Sequence, residues 1–471
     1  MTPNAVAQIT DSDLISTLDI ALPQYAMNTL FLKHGSQGLA YLMTRSLGFE
    51  KEVKADTYGH FEKDDSYENF TVNGTVGDPG AGNSITIVLS PSSLDSNNKY
   101  FPREKDMVMF KNEVVGWITG IVVTVDGLGA GVNQVALTIM PNDITDSIGT
   151  VTAGDTVIII SATFTEGSGM PDEVVSGTTK YTNEAQIIKE NIGATGTALT
   201  TETYIKQLNE AGEYLGYYNP AYFDLDYRMM TKIDGMFWFS KRISTTAGRA
   251  LNATTGYVHK ATEGLVPAIR RLGNVNTYTV GAYAISKFNE YERVLAKEYV
   301  PSTTPVWTAL GLYLYQEVED KLVTYFANTN IEYTRKVVND MLFNKNESLG
   351  ASVNFKYLTK SGRTFLFHKL DGFSNPKTYG STGYDMQKMG VICPLDKSKD
   401  PKTNESIPSI GVRYRAMGGY NRRMITSTLS GIGASYKRQP VTTIDKTNTY
   451  QFAHMGTEFY GINRFILIDN A

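Results

Sequence analysis

The feature that most constrains this chain is a change of period. Residues 84–165 hold five short runs rich in β-branched residues, 85–89, 107–110, 114–125, 135–140 and 156–165, separated by clusters of turn formers. Such runs fold as a small antiparallel barrel or sandwich. After Gly167-Ser168-Gly169-Met170-Pro171 the apolar residues recur at helical spacing: Leu225, Met229, Ile233 and Phe237 lie four apart and form one drifting seam. Asn219-Pro220 supplies an N-cap and first-turn pair, so the pattern predicts a helix over 220–243. Gly235 inside it costs about 1 kcal/mol relative to Ala, which implies that another backbone passes close or that the helix bends. Asp226, Lys232, Asp234 and Lys241 are left to face outward.

Three more helices are expected: 28–46, with Leu32, Leu39, Leu42 and Met43 on one face, 282–299, and 307–328, with Leu310, Leu314, Val318 and Leu322 four apart. Strands then return at 353–357, 364–368, 389–393 and 465–468, and 397–406 reads as an exposed loop. At 471 residues the chain is too long for one core. The order of strands, helices and strands gives an α+β body with an inserted antiparallel β module.

The chain carries no recognisable catalytic chemistry. None of its five histidines has metal-motif spacing, and it has no Gly-x-Ser-x-Gly elbow or phosphate loop. Gly127-Leu128-Gly129-Ala130-Gly131 sits among strands with no helix to follow and reads as a hairpin loop. Asp224-Leu225-Asp226 falls in the first turn of the expected helix, where two acids complement the dipole without a cation. The expected catalytic, cofactor and metal sites are therefore none. A net charge of -4 and a pI near 5.9 argue against a broad nucleic-acid surface. The basic pairs Arg270-Arg271, Arg422-Arg423 and Lys437-Arg438 are short and suit a solvated face or an intersubunit ion pair. Cys393 is the lone cysteine and reads as buried and inert, and no apolar run is long enough to span a bilayer. Twenty-nine Tyr against 3 Trp lean toward assembly, because Tyr offers rigid contact area with a polar tip.

Several segments resemble a known family. Ala162-Thr163-Phe164-Thr165-Glu166-Gly167-Ser168 and then Tyr181-Thr182-Asn183-Glu184-Ala185-Gln186-Ile187-Ile188-Lys189-Glu190 are similar to a passage in which a strand ends in Glu-Gly-Ser and a Thr-Asn-x-x-Gln-Ile segment leads toward a long helix. Ala194-Thr195-Gly196-Thr197-Ala198 is similar to that passage's ending. Lys232-Ile233-Asp234-Gly235-Met236-Phe237-Trp238-Phe239-Ser240-Lys241-Arg242 resembles the pattern at that helix's end, with Asp234 for Glu, Gly235 a residue early and Ser240 where Gly is usual; Thr254-Thr255-Gly256 follows. The family is the major capsid proteins of tailed bacteriophages with the Hong Kong ninety-seven fold. Two departures, a large β module and an insertion over 209–220, resemble large-phage relatives such as the crAss-like phages.

The resemblance implies an N-terminal arm over 1–50 and an extended loop over 51–165 carrying the β module at about 84–165. It implies a peripheral domain over 166–273 whose spine is the helix 220–243, an axial domain over 274–449, and a return to the peripheral domain over 450–471. Its assembly candidates are Leu225, Met229, Ile233, Phe237, Gly235, Glu166 and Gln186. The implied function is an icosahedral shell of hexamers and pentamers around double-stranded DNA, built in the host bacterial cytoplasm and found in the virion capsid. Partners would be further copies of the chain, the portal and other phage structural proteins, and DNA held loosely, with no membrane. No N-terminal scaffold segment is expected to be removed. No crosslink is expected either, although Lys54, Lys63 and Lys99 are candidates for one. The rivals are an encapsulin-like compartment and a β-rich binding or adhesion protein.

Overall fold

The computed structural model describes residues 50–62, 70–90, 103–112, 116–127, 135–170, 178–197, 218–244, 258–329, 356–360, 362–374, 386–395, 397–399, 406–432 and 442–470. The helix expected over 28–46, with most of its arm, and Thr254-Thr255-Gly256 lie outside them. The chain divides into two compact units, His60–Tyr181 and the remainder.

In chain order the first strands are β1 (Glu50–Val53), β2 (Thr57–Glu62), β3 (Phe70–Thr71), β4 (Ile85–Val88), β5 (Asp106–Asn112), β6 (Gly116–Asp126), β7 (Ala136–Pro141), β8 (Thr156–Ala162), β9 (Thr179–Glu184) and β10 (Gln186–Thr195). Helices α1 (Tyr218–Phe239) and α2 (Leu265–Leu272) follow, then β11 (Asn274–Tyr278), α3 (Lys287–Lys297), β12 (Val306–Gly311) and α4 (Leu312–Thr329). The last strands are β13 (Lys356–Lys360), β14 (Arg363–Leu370), β15 (Gly390–Pro394), β16 (Lys397–Lys399), β17 (Ser406–Pro408), β18 (Ile410–Met417), β19 (Tyr420–Asn421), β20 (Ile425–Ser430), β21 (Lys446–Phe459) and β22 (Ile466–Asn470).

The smaller unit is one antiparallel sheet in the order β3-β8-β5-β6-β7-β4. Its two ends meet: Val72 bridges Leu89, Asn73 N donates to Val88 O at 2.8 Å and Ser90 N donates to Thr71 O at 2.7 Å, so the sheet closes into a barrel. Closure removes exposed edges and fixes an inside and an outside. Ile87, Val108, Val122, Leu137, Ile139 and Val157 fill the inside with no exposed area. Register shifts between Met107 and Val108 and between Val122 and Thr124 add the twist that closure requires. The barrel also takes in Phe70–Thr71, ahead of the expected start at 84, because a two-residue strand in polar sequence carries no periodic signal.

Among its described residues the larger unit has two six-stranded sheets besides the β16–β17 pair. One runs β1-β18-β21-β10, with β19 on β18 and β20 on β21; the other runs β11-β22-β15-β12-β14-β13. In the second sheet alternate residues enter two cores. Trp307, Ala309, Leu366, Val391, Cys393 and Leu467 join the core that holds α1, α2 and the first sheet. Val306, Leu310, Phe365, Ile392, Ile466 and Ile468 pack with Phe288, Tyr291, Leu314 and Val318 of α3 and α4. A strand buried on both faces loses its alternation, and β12 is buried throughout.

That burial corrects one helix. The pattern over 307–328 predicts a single helix, but Trp307 to Leu310 form β12 in the sheet interior and α4 starts only at Leu312. Leu310 still shares a core with Leu314, Val318 and Leu322, which is why the spacing misled. The helix expected over 282–299 shortens to α3. The loop expected over 397–406 contains the β16–β17 hairpin. β18 at 410–417 pairs with β21 in the first sheet, and β22 pairs with β11 and β15 in the second.

Candidate functional site

The site is the seam of α1 and the polar clasp at its C-terminal end. Along the seam Leu225, Met229 and Phe237 are fully buried and Ile233 is 2% exposed. The helix lies on β10, β21 and α2. Polar bonds at its rim fix its rotation: Gln451 donates to Asp226 at 3.0 Å, and Glu190 takes Lys232 and, at 3.9 Å, Arg228. At the end of the seam Trp238 meets Phe373 edge-on at 5.0 Å between ring centroids.

Two expectations change here. Helix α1 begins at Tyr218, so Pro220 sits among the first N–H positions that need no intrahelical partner, and Asn219 is helical, not the cap. Asp224 and Asp226 therefore fall beyond the first turn, where the helix dipole has faded, and Asp226 serves Gln451 instead. At the other end the helix stops at Phe239, short of 243, because the Ser240 carbonyl accepts the Gly264 N–H at 2.7 Å.

Backbone passes close to the last turn of α1, at Met236 to Trp238, and Gly264 is the glycine that permits it. A Cβ on Gly264 would stand 2.8 Å from Met236 O and 2.9 Å from Phe237 O. Its φ of -80° suits any residue, so the constraint is steric alone. Gly264→Ala should cost about 1–3 kcal/mol, as overpacking does. A urea midpoint equal to the parent's would contradict this contact.

The clasp gathers residues from distant parts of the chain. Gln186 Oε1 accepts from Ser240 Oγ at 3.2 Å and from Thr262 N at 3.3 Å. Asn183 Oδ1 accepts from the backbone of Glu184 and of Glu263, both at 2.8 Å, while its Nδ2 donates to Thr457 O at 2.8 Å and Glu263 O at 3.2 Å. Arg242 donates to Glu184 Oε1 at 3.1 Å and to Thr182 Oγ1 at 3.2 Å. Partly buried Tyr58 donates to Thr457 O at 2.8 Å, and loss of solvation around its hydroxyl pushes the phenol well above the usual range. The end of β9, the start of β10, the end of α1, the entry to α2 and β21 are thus locked together by side chains that satisfy backbone groups.

On the opposite face of the first sheet Asp56 binds Lys260 Nζ at 3.1 Å and Arg415 at 3.0 Å, with His454 Nε2 at 3.7 Å. Burial pushes Asp56 up, but Lys260, His454 and Arg415 outweigh it and hold the carboxyl below its usual value. For His454 burial dominates, and with Arg422, Arg415 and Lys260 it holds the imidazole below its usual 6.5 in spite of Asp56. Both folded pKa values are depressed, so each contribution is complete above the unfolded pKa and lost as pH falls. Melting temperature should therefore decline as pH drops below about 6.5, the onset set by His454. A temperature that stays flat down to about pH 5 would rule this out.

The remaining expected residues lie elsewhere. Glu166 is exposed in the 165–168 turn, where Ser168 N donates to Thr165 O at 3.1 Å. Cys393 is buried in β15, which pushes its thiol well up. Apart from Gly127, the glycine-rich run lies outside the described residues. Among the described residues no His, Cys, Asp and Glu group could hold a metal, and no helix is long and apolar enough to cross a membrane. Sequence reasoning missed Asn183, Arg242, Thr262 and Thr457 as clasp members; the Thr-Asn-x-x-Gln-Ile likeness was the one available signal.

No family model and no curated protein matches the chain. Among solved structures it is similar to that of Microbacterium phage Oxtober96, with a TM-score of 0.39 at 9% identity over 99% of this chain and 100% of that one. It is similar to that of Gordonia phage Cozz, with a TM-score of 0.38 at 9% identity over 100% and 98%. A third, titled the capsid of a native GTA particle computed with C5 symmetry, has a TM-score of 0.37 at 9% identity over 96% and 95%.

Proposed function

We propose that this chain is the major capsid protein of a tailed phage with a Hong Kong ninety-seven type layout. Many copies form hexamers and pentamers that close into an icosahedral shell around double-stranded DNA. In this reading α1 is the spine of the peripheral domain, the barrel belongs to the extended loop, and the stretch after residue 273 supplies most of the axial domain. The chain would be assembled in the host cytoplasm, meet the portal and other structural proteins, and reside in the virion capsid.

One observation carries the reading. The two passages that resemble the family, 181–190 and 232–242, meet: Gln186 bonds Ser240 and Glu184 bonds Arg242. Three bonds of Asn183 then hold that junction to β21 and to the entry of α2. Such a junction transmits force between elements and presents nothing that reacts. Stability of a shell comes from interface area between copies, not from any single pocket.

The test is electron microscopy of the purified full chain. Closed shells of uniform diameter are expected, with nuclease-protected DNA inside particles recovered from infected cells. A stable monomer at high concentration would refute the reading, and protein cargo in place of DNA would turn it toward an encapsulin-like compartment.

A further inference from the structure

Cations gather on the face of the first sheet turned away from α1. On β21 Gln451, Ala453 and Met455 point to the helix side, which leaves Phe452 and His454 on the other. Register places Lys189 of β10 beside Phe452. Arg422 flanks β21 on its other side. Its N–H donates to Arg415 O and its carbonyl accepts from His454 N, both at 2.9 Å, so its backbone is fixed between β18 and β21. Lys260 and Arg415 complete the group around Asp56, which takes Lys260 Nζ at 3.1 Å and Arg415 at 3.0 Å. Glu50 and Glu458 of the same sheet are taken by Arg423 and Arg413. Lys189, Lys260, Arg415 and Arg422 therefore meet one carboxylate, Asp56.

Two of these cations have no anion. Lys189 and Arg422 stand over the Phe452 ring, 6.0 and 4.7 Å from its centroid, and among the described residues neither head group has a carboxylate or carbonyl partner. Arg422 Nε is shut off from solvent without a hydrogen bond. A partly desolvated, unpaired guanidinium is unfavourable, and a second cation gathered at the same ring repels it. Cation–π attraction holds both to the ring, yet it uses the guanidinium's flat face and leaves its N–H edge for an oxyanion. The excess charge is felt nearby. His454, 3% exposed, is held below its usual pKa by burial first and then by Arg422, Arg415 and Lys260, against the pull of Asp56. The arrangement is short of negative charge.

We propose that Lys189 and Arg422, with Phe452 between them, bind a free inorganic polyphosphate-type oxyanion that reaches both cations at once. The span sets the class of ligand. Each cation stems from backbone one strand away from β21, so the two backbones lie about 9–10 Å apart at sheet spacing. A single tetrahedral anion seated on one cation falls short of the other, whereas a chain of two or three phosphates reaches both and divides its charge between them. Asp56 does not oppose this, because Lys260 and Arg415 already neutralise it. The site lies wholly within the larger unit and requires neither a second copy nor a shell.

The test is calorimetric titration of the full chain with sodium tripolyphosphate in about 0.15 M salt, where generic attraction between exposed charges is screened. One saturable site per chain is expected, with sodium sulfate at least tenfold weaker at matched ionic strength. Lys189→Gln and Arg422→Gln should each weaken tripolyphosphate at least tenfold, and Arg422→Lys should weaken it less than Arg422→Gln. Lys241→Gln, at an exposed cation past the end of α1, should bind like the parent. Lys189 is exposed, so its variant keeps the fold, and a parent-like melting temperature without ligand should accompany its loss of binding. The proposal is overturned if no saturable binding appears, if the Lys189 and Arg422 variants bind like the parent, or if Lys241→Gln weakens binding as much as they do. It is also overturned if a labelled DNA duplex is retained by the parent, lost by both variants and not displaced by tripolyphosphate, which would assign the two cations to nucleic-acid phosphates. Closed shells without tripolyphosphate binding would keep the capsid reading and remove this site; binding by a stable monomer would do the reverse.

Discussion

Ile233→Asp is expected to leave little soluble protein and, on the capsid reading proposed above, to form no particles. Ile233 is 2% exposed in a core with Met229, Phe237, Leu265 and Ala453, drawn from α1, α2 and β21. A carboxylate there has no cation to pair with, and an uncompensated buried charge costs about 3–5 kcal/mol. Whole domains are stable by only about 5–15 kcal/mol, so the loss approaches the total. Lys241→Ala, at an exposed position past the helix end, changes stability by no more than about 0.5 kcal/mol. Soluble yield and sedimentation of the two variants check the pair. Parent-like particles from Ile233→Asp would remove α1 from the load-carrying interior and with it the spine assignment.

Asn183→Ala should be nearly as damaging although it removes few atoms. It leaves the Glu184 and Glu263 N–H groups without the partner described above, while the Glu263 carbonyl keeps the Thr457 hydroxyl. Each buried polar group left unpaired costs about 1–3 kcal/mol. The Thr457 carbonyl is spared, since it keeps the Tyr58 hydroxyl. Asn183→Asp retains the acceptor and loses the donors, so its loss should be smaller. Urea midpoints should rank parent, Asp variant and Ala variant in that order. A midpoint for the Ala variant within error of the parent would mean that the clasp carries no stability.

The barrel was legible because closure buries one side of every strand, so Ile85, Ile87, Leu137 and Ile139 alternate with polar neighbours. The seam of α1 was legible for the same kind of reason, but its ends were not. Where it stops depends on Gly264 taking the Ser240 carbonyl, a bond that no helical period announces. Strand β21 escaped notice because its buried side includes Thr447, Thr449 and Gln451, polar residues that read as loop until their partners are known. The clasp was half legible. Gln186 stood out through resemblance, while the partners of Asn183 lie 80 and 274 positions away, beyond the reach of any local pattern.

The final strands carry a consequence for biogenesis. β21 lies inside the first sheet, between β10 and the strands β18 and β20, and β22 lies inside the second, between β11 and β15. Both belong to residues 446–470, and only the short turn around Gly461, at φ 61°, separates them. On a growing chain each sheet consequently waits with an interior slot open while the barrel, whose strands are complete by Ala162, can already fold. The body then closes in one late step that fills both slots together. A ribosome-bound chain halted before residue 446 would hold a finished barrel and two sheets that each lack an interior strand.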